Sequence, residues 1–236
     1  MTSEPVAGVV VGVSAGKAAR ITTGRRPIAS AFVKTPLDGP VRLARLGVAG
    51  DEHVYHDHGG PDMAVLLYSR EHYGAWRGLG LELPEVGAFG ENLTVEGRLT
   101  ERDVCLGDVL AVGGAVLEVC QPRSPCYKIA ARYGRKDLAV LAQSTGAMGY
   151  LARVREEGDV QAGDAVRLVE RVSAITLAEA GRILNVDRTD VAGARRLLGL
   201  ASLGSSTRRK LEQRLASRGE PGLDQERLFH EDALGA

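Results

Sequence analysis

Short strand-like segments separated by turn residues fill about the first 170 residues and limit the folds that the chain can adopt. Gly, Pro and Asp residues lie between the segments, and the pair Gly113-Gly114 between two apolar runs is typical of a tight hairpin. Helical periodicity in this part is confined to residues 69–79 and 136–144. We therefore predict a mainly β fold with some α-helix, in which the strands close or fold over into a β-barrel. The predicted strands are 6–13, 29–34, 41–48, 64–68, 92–96, 108–112, 115–120 and 165–170.

The pattern changes to helical periodicity after about residue 170. Thr176 and Glu179 have the spacing of a capping box ahead of an apolar stripe, and two further helices fit residues 189–199 and 206–217. This part is predicted to be a small three-helix C-terminal domain. The predicted organisation is a β-barrel domain over 1–170, the three-helix domain over 171–218 and a C-terminal tail over 219–236.

Charge and composition exclude several classes of protein. The 236 residues carry a formal net charge of +0, so nothing global indicates binding to nucleic acid or to an anionic membrane. No apolar run approaches the roughly 20 residues that span a bilayer, and the N-terminus lacks the pattern of a secretory leader. The expectation is a soluble, cytoplasmic protein without membrane contact, in which thiols stay reduced.

The segment QPRSPCYK at 121–128 contains the principal candidate for chemistry, Cys126. It follows an apolar strand, and the cations Arg123 and Lys128 on either side favour the thiolate form, which attacks electrophiles and binds soft metals. Two prolines stiffen the turn. Cys105 and Cys120 lie in apolar strands and are expected in the core. The segment alone leaves open whether Cys126 is a reactive thiolate or a small buried apolar group.

Two further motifs carry candidate residues. The run HVYHDH at 53–58 is dense in histidine, but its spacing departs from that of zinc hydrolase loops, so we interpret it as a loop that brings His58 and Asp62 near a site. FGEN at 89–92 places Glu91 and Asn92 at a strand entrance, where they could act in a site or only cap their own turn.

The C-terminal helices allow a second interpretation, a DNA-binding regulator. The stretch from 176 to 198 has the outline of a helix-turn-helix, although its second helix offers few side chains that could contact bases. Docking of an electron donor or of a second subunit is the preferred role, and nucleic-acid binding is not expected. The basic residues of this unit are Arg195, Arg196, Arg208, Arg209, Lys210 and Arg214.

Five segments in order resemble the MOSC domain, the fold shared with molybdenum cofactor sulfurases and mitochondrial amidoxime-reducing proteins. The resemblance covers about residues 6–170 and is closest to the YiiM-like group, in which a small 3-alpha domain follows, as the helices do here. The segments are LDGPVRLARLGVAGDE (37–52), HGGPDMAVLLYSREHYGAW (58–76), FGENLTVEG (89–97), GDVLAVGGAVLEVCQPRSPCYK (107–128) and STGAMGYLARVREEGDVQAGD (144–164).

The resemblance implies a molybdenum–pterin cofactor with Cys126 as the thiolate ligand of the metal. It also implies reduction of N-hydroxylated compounds, such as hydroxylaminopurine-type bases and amidoximes, to amines. The chain has no flavin, haem or iron–sulfur motif, so electrons would come from a separate reductase. A sulfur carrier with a Cys126 persulfide is the alternative, and a homodimer is possible.

Roles for the other candidates follow from the same resemblance. The phosphate of the pterin needs cations or backbone N–H groups, for which Arg123 is the best candidate, with Lys34 and Arg42 as further ones. His58 or Glu91 would supply the proton. Asn92 and Asp62 would orient cofactor or substrate.

Overall fold

The structure is a computed structural model and describes residues 7–23, 26–54 and 59–217. Its strands are β1 Ala7–Ala15, β2 Ala19–Thr23, β3 Arg26–Ser30, β4 Thr35–Leu37, β5 Val41–Ala44, β6 Gly47–Val48, β7 Val65–Ser69, β8 Leu93–Gly97, β9 Val109–Val112, β10 Ala115–Pro122, β11 Tyr150–Glu156, β12 Gly158–Val160 and β13 Ala165–Glu170. Its α-helices are α1 Tyr73–Gly78, α2 Tyr127–Tyr133, α3 Leu138–Thr145, α4 Leu177–Gly181, α5 Val191–Leu198 and α6 Ser205–Ala216. Two short 3₁₀ helices cover Pro61–Met63 and Arg70–His72, and a π-helical turn covers Arg182–Val186.

Seven strands close into a barrel in the order β13-β9-β10-β11-β7-β8-β1, because β13 also pairs with β1. All neighbours are antiparallel except β7 and β8, which are parallel. Strand β4 extends the sheet beyond β1, and two small sheets, β12-β5-β6 and β2-β3, lie outside the ring. The predicted β-barrel is therefore confirmed.

Aliphatic side chains fill the barrel interior. Val10, Leu67, Leu93, Leu110 and Leu117 are among its fully buried members. Each such side chain contributes about 1.5–3 kcal/mol on burial. Strand β11 shows how the pattern arises, because its buried residues alternate with partly exposed ones and the strand therefore presents one face to this core.

The helical C-terminal unit packs on one end of the barrel. Its own core is aliphatic and includes Leu106 from the barrel, while Leu177 of α4 joins the barrel core in return. Thr176 caps α4 by accepting a hydrogen bond from the Glu179 N–H at 3.1 Å. The carboxylate of Glu179 binds Arg196, so only the Thr176 half of the predicted capping box is observed. The small three-helix unit itself is confirmed.

Most predicted elements are observed, and the differences have local causes. The strand predicted over 29–34 ends at Ser30, and strands β11 and β12 were not predicted because charged residues interrupt their apolar pattern. Helix α2 was also unforeseen, since the prolines just before Cys126 suggested an extended turn.

Among the residues that the structure describes, no helix is long and apolar enough to cross a membrane.

Candidate functional site

Cys126 lies at the junction between the barrel and α2. Strand β10 ends at Pro122, residues 123–126 form a connection, and Cys126 is the residue immediately before the helix. Its side chain is half-buried, whereas Cys105 and Cys120 are buried. Among the three cysteines, Cys126 is therefore the one that an external group can approach.

This difference in burial predicts selective chemistry at Cys126. Burial raises the pKa of Cys120 to about 11, against the opposing effect of the nearby Arg153, and burial also raises the pKa of Cys105. Because the thiolate is the reactive form, we expect iodoacetamide at about pH 8 to modify Cys126 at least about a hundredfold faster than the other two. Peptide mapping by mass spectrometry at timed intervals measures the three rates. All three should react alike in denaturant, and equal rates in the native protein would contradict the assignment.

Two buried cations flank Cys126. Arg123 donates from Nη1 to the carbonyl of Phe89 at 2.6 Å, and its guanidinium lies 5.5 Å from the centre of the Phe32 ring. Burial lowers the pKa of Lys128, while the charge of Cys126 raises it and that of Arg123 lowers it. The three groups are thus electrostatic neighbours. Only one of the five N–H donors of Arg123 is used by Phe89, so the guanidinium retains capacity to bind an anion.

A second charged cluster adjoins Arg123 and is centred on Asp51. Lys34 Nζ lies 2.6 Å and 2.7 Å from the two carboxylate oxygens of Asp51, which also accept from Asn92 Nδ2 at 2.8 Å and from the Gly16 N–H at 2.7 Å. Burial lowers the pKa of Lys34, and Asp51 raises it. Smaller influences from Glu91 and Arg123 on Lys34 indicate that the two clusters are adjacent. Sequence reasoning missed Asp51, although the segment 37–52 of the resemblance contains it.

Glu91 is fully buried, and the groups around it occupy both carboxylate oxygens. Tyr73 and Thr94 donate their hydroxyl groups to Oε1, and the Phe89 N–H donates to Oε2 at 2.8 Å. The adjacent Gly90 has φ of 78°, and a Cβ there would lie 3.0 Å from the Phe32 ring. Glu91 therefore holds the turn whose Phe89 carbonyl binds Arg123.

Aromatic side chains pack behind this turn. The rings of Tyr68 and Phe89 stack with centroids 4.7 Å apart, and Trp76 Nε1 donates to the Tyr68 hydroxyl at 2.7 Å. Six of the aromatic residues that the structure describes belong to this cluster or border it, so rigid aromatic packing backs the site. They are Phe32, Tyr68, Tyr73, Trp76, Phe89 and Tyr133.

An open cavity of about 590 Å³ lies at the far end of α2 from Cys126. Val33, Leu81 and Tyr133 supply apolar lining, and Arg132 adds a cation. Its volume is that of small-molecule sites in general. A seven-residue helix is roughly 10 Å long, which sets the scale of the separation between the cavity and the thiol.

Two of the predicted residues are held by partners elsewhere, and a third lies outside the described residues. Arg42 forms surface ion pairs with Glu157 and Asp159 at 3.3 Å and 3.8 Å, and half of its side chain is exposed. Asp62 binds Arg153 at 3.0 Å and accepts from the backbone N–H at the start of α6, so it links the barrel to the helical unit. His58 is the candidate that the structure does not describe.

The histidine-rich run is described only in part, because residues 55–58 lie outside the described ranges. His53 lies near Asp51 and Lys34, and burial lowers its pKa. Within the described ranges, no three His, Cys, Asp or Glu side chains converge as a metal site.

Several basic residues of the C-terminal unit serve that unit itself. Arg208 donates to carbonyl groups at the end of α5, Arg214 donates to the carbonyl of Ile183, and Arg196 binds Glu179. These contacts use part of the positive charge that a DNA-binding face would need.

Comparison with known proteins places this architecture among characterised families. Residues 54–167 match the MOSC domain, and residues 175–218 match the YiiM-like, 3-alpha helix domain. The chain is 42% identical over 195 residues to protein YiiM of Escherichia coli (strain K12), covering 80% of this chain and 85% of that protein. A protein named Reductase from Gibberella moniliformis is 39% identical over 171 residues, covering 71% of this chain and 30% of that protein. The crystal structure of YiiM from Geobacillus stearothermophilus has a TM-score of 0.75 and 34% identity, covering 88% of this chain and 99% of that one.

Proposed function

The chain belongs to the MOSC family and carries the 3-alpha helix domain of its YiiM-like members, and on this premise we propose that it is a molybdenum-dependent reductase of N-hydroxylated compounds. MOSC domains are generally associated with binding of the molybdenum cofactor. The name Reductase of one relative agrees with an oxidoreductase role. The proposed substrates are hydroxylaminopurine-type bases and amidoximes, and the products are the corresponding amino bases and amidines.

The observation that carries the proposal is the half-buried Cys126 between two buried cations. A cysteine thiolate is a soft ligand that suits molybdenum, and it lies at a place that an external group can reach. Arg123 and Lys128 supply positive charge for the phosphate of a pterin. The residues present therefore fit such a cofactor.

The reaction requires two electrons and two protons, because R–NH–OH is converted to R–NH₂ and H₂O. The cofactor, when bound, supplies the redox chemistry that cleaves the N–O bond. Cys126 would hold the metal, and Arg123 would bind the anionic part of the cofactor. We propose that Glu91 positions the Phe89 turn and does not donate a proton, since its oxygens are already occupied. Asn92 and Lys34 would support the site through Asp51, and His58 stays the proposed proton source.

We leave the cavity at the far end of α2 out of the proposed site, because a helix length of roughly 10 Å separates it from the Cys126 thiol. Electrons would come from a separate reductase, because the sequence has no flavin, haem or iron–sulfur motif. We leave Arg42 and Asp62 out of the proposed site because their charges are paired elsewhere.

The test uses the full chain purified from a host that makes the cofactor. Molybdenum and pterin analysis should give about one equivalent of each, and the protein should reduce an N-hydroxylated base with an artificial electron donor. Absence of both components together with a sulfane sulfur on Cys126 would instead support the sulfur carrier.

Replacing Arg123 with alanine is expected to weaken cofactor retention about tenfold or more, because a charged hydrogen-bonding group contributes about 1.5–3 kcal/mol. Molybdenum content after repeated desalting measures the effect. Arg42→Ala is the matched control, since it removes an exposed arginine already bound to Glu157, and its molybdenum content should equal that of the unmodified chain. Equal molybdenum loss in both variants would contradict the role of Arg123.

A further inference from the structure

The C-terminal unit contacts the Cys126 connection through a π-helical turn. Helix α4 continues into residues Arg182–Val186, where the Asp187 N–H donates to the Arg182 carbonyl at 2.8 Å. Helical π turns are rare and occur frequently at functional sites. The turn buries the apolar Ile183 and one polar residue, Asn185, which is 6% exposed.

Asn185 binds the connection and the helix next to it. Its Oδ1 accepts a hydrogen bond from Ser124 Oγ at 2.8 Å, and its carbonyl accepts one from Gln143 Nε2 of α3 at 2.8 Å. Ser124 is two residues before Cys126 and lies between two prolines. Proline has a fixed φ, and Pro125 is the one residue between Ser124 and Cys126. A restraint on Ser124 therefore limits where the thiol of Cys126 can lie.

The opposite side of the connection is anchored to the barrel. The Arg123 N–H donates to the Gly149 carbonyl at 2.9 Å, and the guanidinium of Arg123 binds the Phe89 carbonyl. Helix α4 also packs closely there, since a Cβ on Gly181 would lie 2.7 Å from Met148 Cε and 3.8 Å from Pro122 Cβ. Residues 122–126 are therefore held between the barrel and the C-terminal unit.

We propose that Asn185 is a positioning residue for Cys126, and that the C-terminal unit fixes the orientation of the thiol through the Asn185–Ser124 hydrogen bond. The consequence for catalysis rests on the proposed reductase function, whereas the consequence for the thiol itself does not. Misplacement of a reacting group by about 1 Å can lower the reaction rate about a hundredfold. Loss of the Asn185–Ser124 hydrogen bond should therefore lower kcat more than it changes KM.

The experiment compares four variants of the full chain. Asn185→Leu keeps the approximate volume and the backbone carbonyl that binds Gln143 but removes the side-chain hydrogen bond to Ser124, and Asn185→Asp keeps an oxygen that accepts from Ser124. Ser124→Ala removes the same bond from the more exposed side, where the C-terminal core is not disturbed. Val186→Ala is the matched control in the same turn, because Val186 is 57% exposed.

Two measurements use the protein without cofactor. Amide hydrogen exchange over residues 123–126 should be about tenfold faster in Asn185→Leu and faster to a smaller extent in Ser124→Ala. The rate of Cys126 alkylation at fixed pH should change in the same two variants, with Asn185→Asp close to the unmodified chain and Val186→Ala indistinguishable from it. Unchanged exchange and alkylation in both Asn185→Leu and Ser124→Ala would overturn the proposal. Should Asn185→Leu fail to fold, Ser124→Ala alone decides.

A third measurement uses the cofactor-loaded enzyme. Asn185→Leu should lower kcat about tenfold or more with KM changed less than about twofold, and Asn185→Asp should restore most of kcat. The two proposals can fail separately. If the variants change amide exchange and Cys126 alkylation but the unmodified chain has no reductase activity, the positioning role stands and the proposed function is rejected.

Discussion

Replacing Cys126 with serine is expected to abolish N-reductive activity, lowering it at least about a thousandfold, and to remove bound molybdenum. A serine hydroxyl is a hard, protonated group that does not substitute for a soft thiolate ligand. The same change should leave stability almost unaffected, because the side chain is half-buried and its replacement is nearly isosteric. Substitutions at such positions stay within about 0.5 kcal/mol, or roughly 2 °C in Tm for a chain of this length. Metal analysis, the activity assay and thermal unfolding measure the three effects.

Cys120→Ser is the matched control for this experiment. Cys120 is fully buried, and its Sγ accepts from Arg153 Nε at 3.1 Å and donates to the Glu118 carbonyl at 3.3 Å. The serine variant should therefore lose about 1 kcal/mol of stability while retaining molybdenum. The opposite result, in which Cys126→Ser is strongly destabilised and still holds molybdenum, would show that Cys126 is a core residue.

Local sequence patterns predicted most strands of the barrel and the C-terminal helices. Short apolar runs between turn residues, such as 165–170, carry the strand signal within a few residues, and the cap at Thr176 marks a helix start in the same local way. Closure of the ring through the pairing of β13 with β1 is a contact between the two ends of the barrel domain. No local pattern encodes that contact, so the strand pattern predicted only a closed or folded-over barrel, and the family resemblance independently implied a β-barrel-like fold.

In the candidate site, too, the residues that are close together in sequence were predicted, and those brought together by the fold were not. Cys126, Arg123 and Lys128 are neighbours in sequence, so one short segment identified them. Asp51 was missed because its importance comes from Lys34 and Asn92, which reach it from other elements. Asn185 was missed for a similar reason, since its partner Ser124 is 61 residues away. Conversely, Arg42 and Asp62 satisfied the chemical criteria for the site, and only the structure shows their ion pairs.

Removing Asp51 is expected to cause the largest loss of stability among the residues discussed. The Lys34–Asp51 pair is almost fully buried, with 7% and 2% of the side chains exposed. Asp51→Ala would leave the ammonium group of Lys34, the amide of Asn92 and the Gly16 N–H without this acceptor. Breaking a buried ion pair from one side costs about 3–5 kcal/mol, which corresponds to a fall of roughly 6–20 °C in Tm. Denaturant and thermal unfolding of the full chain measure both quantities.

Two further variants show whether the stability loss in Asp51→Ala comes from the unpaired buried charge of Lys34 or from a general packing defect. The double variant Asp51→Ala with Lys34→Met should recover much of the lost stability, because the charge is removed as well. Glu157→Ala, which breaks the exposed pair with Arg42, should cost less than about 1 kcal/mol. Equal losses in the single and double variants would show that the charge on Lys34 is not the cause.

The pH dependence of Asp51→Ala gives an independent check on the same cause. Burial lowers the pKa of Lys34 in the folded chain, and loss of Asp51 removes the main influence that raises it. Between this lowered pKa and the higher value in the unfolded chain, the unfolded state binds more protons, so the free energy of unfolding rises with pH. The deficit of Asp51→Ala relative to the unmodified chain should therefore shrink as the pH rises from neutral toward 10.5, the ordinary pKa of lysine, because the ammonium group loses its proton in the folded variant at lower pH than in the unmodified chain. A deficit that is constant or grows over this range would indicate that lost hydrogen bonds to Asn92 and Gly16, and not the buried charge, account for the instability.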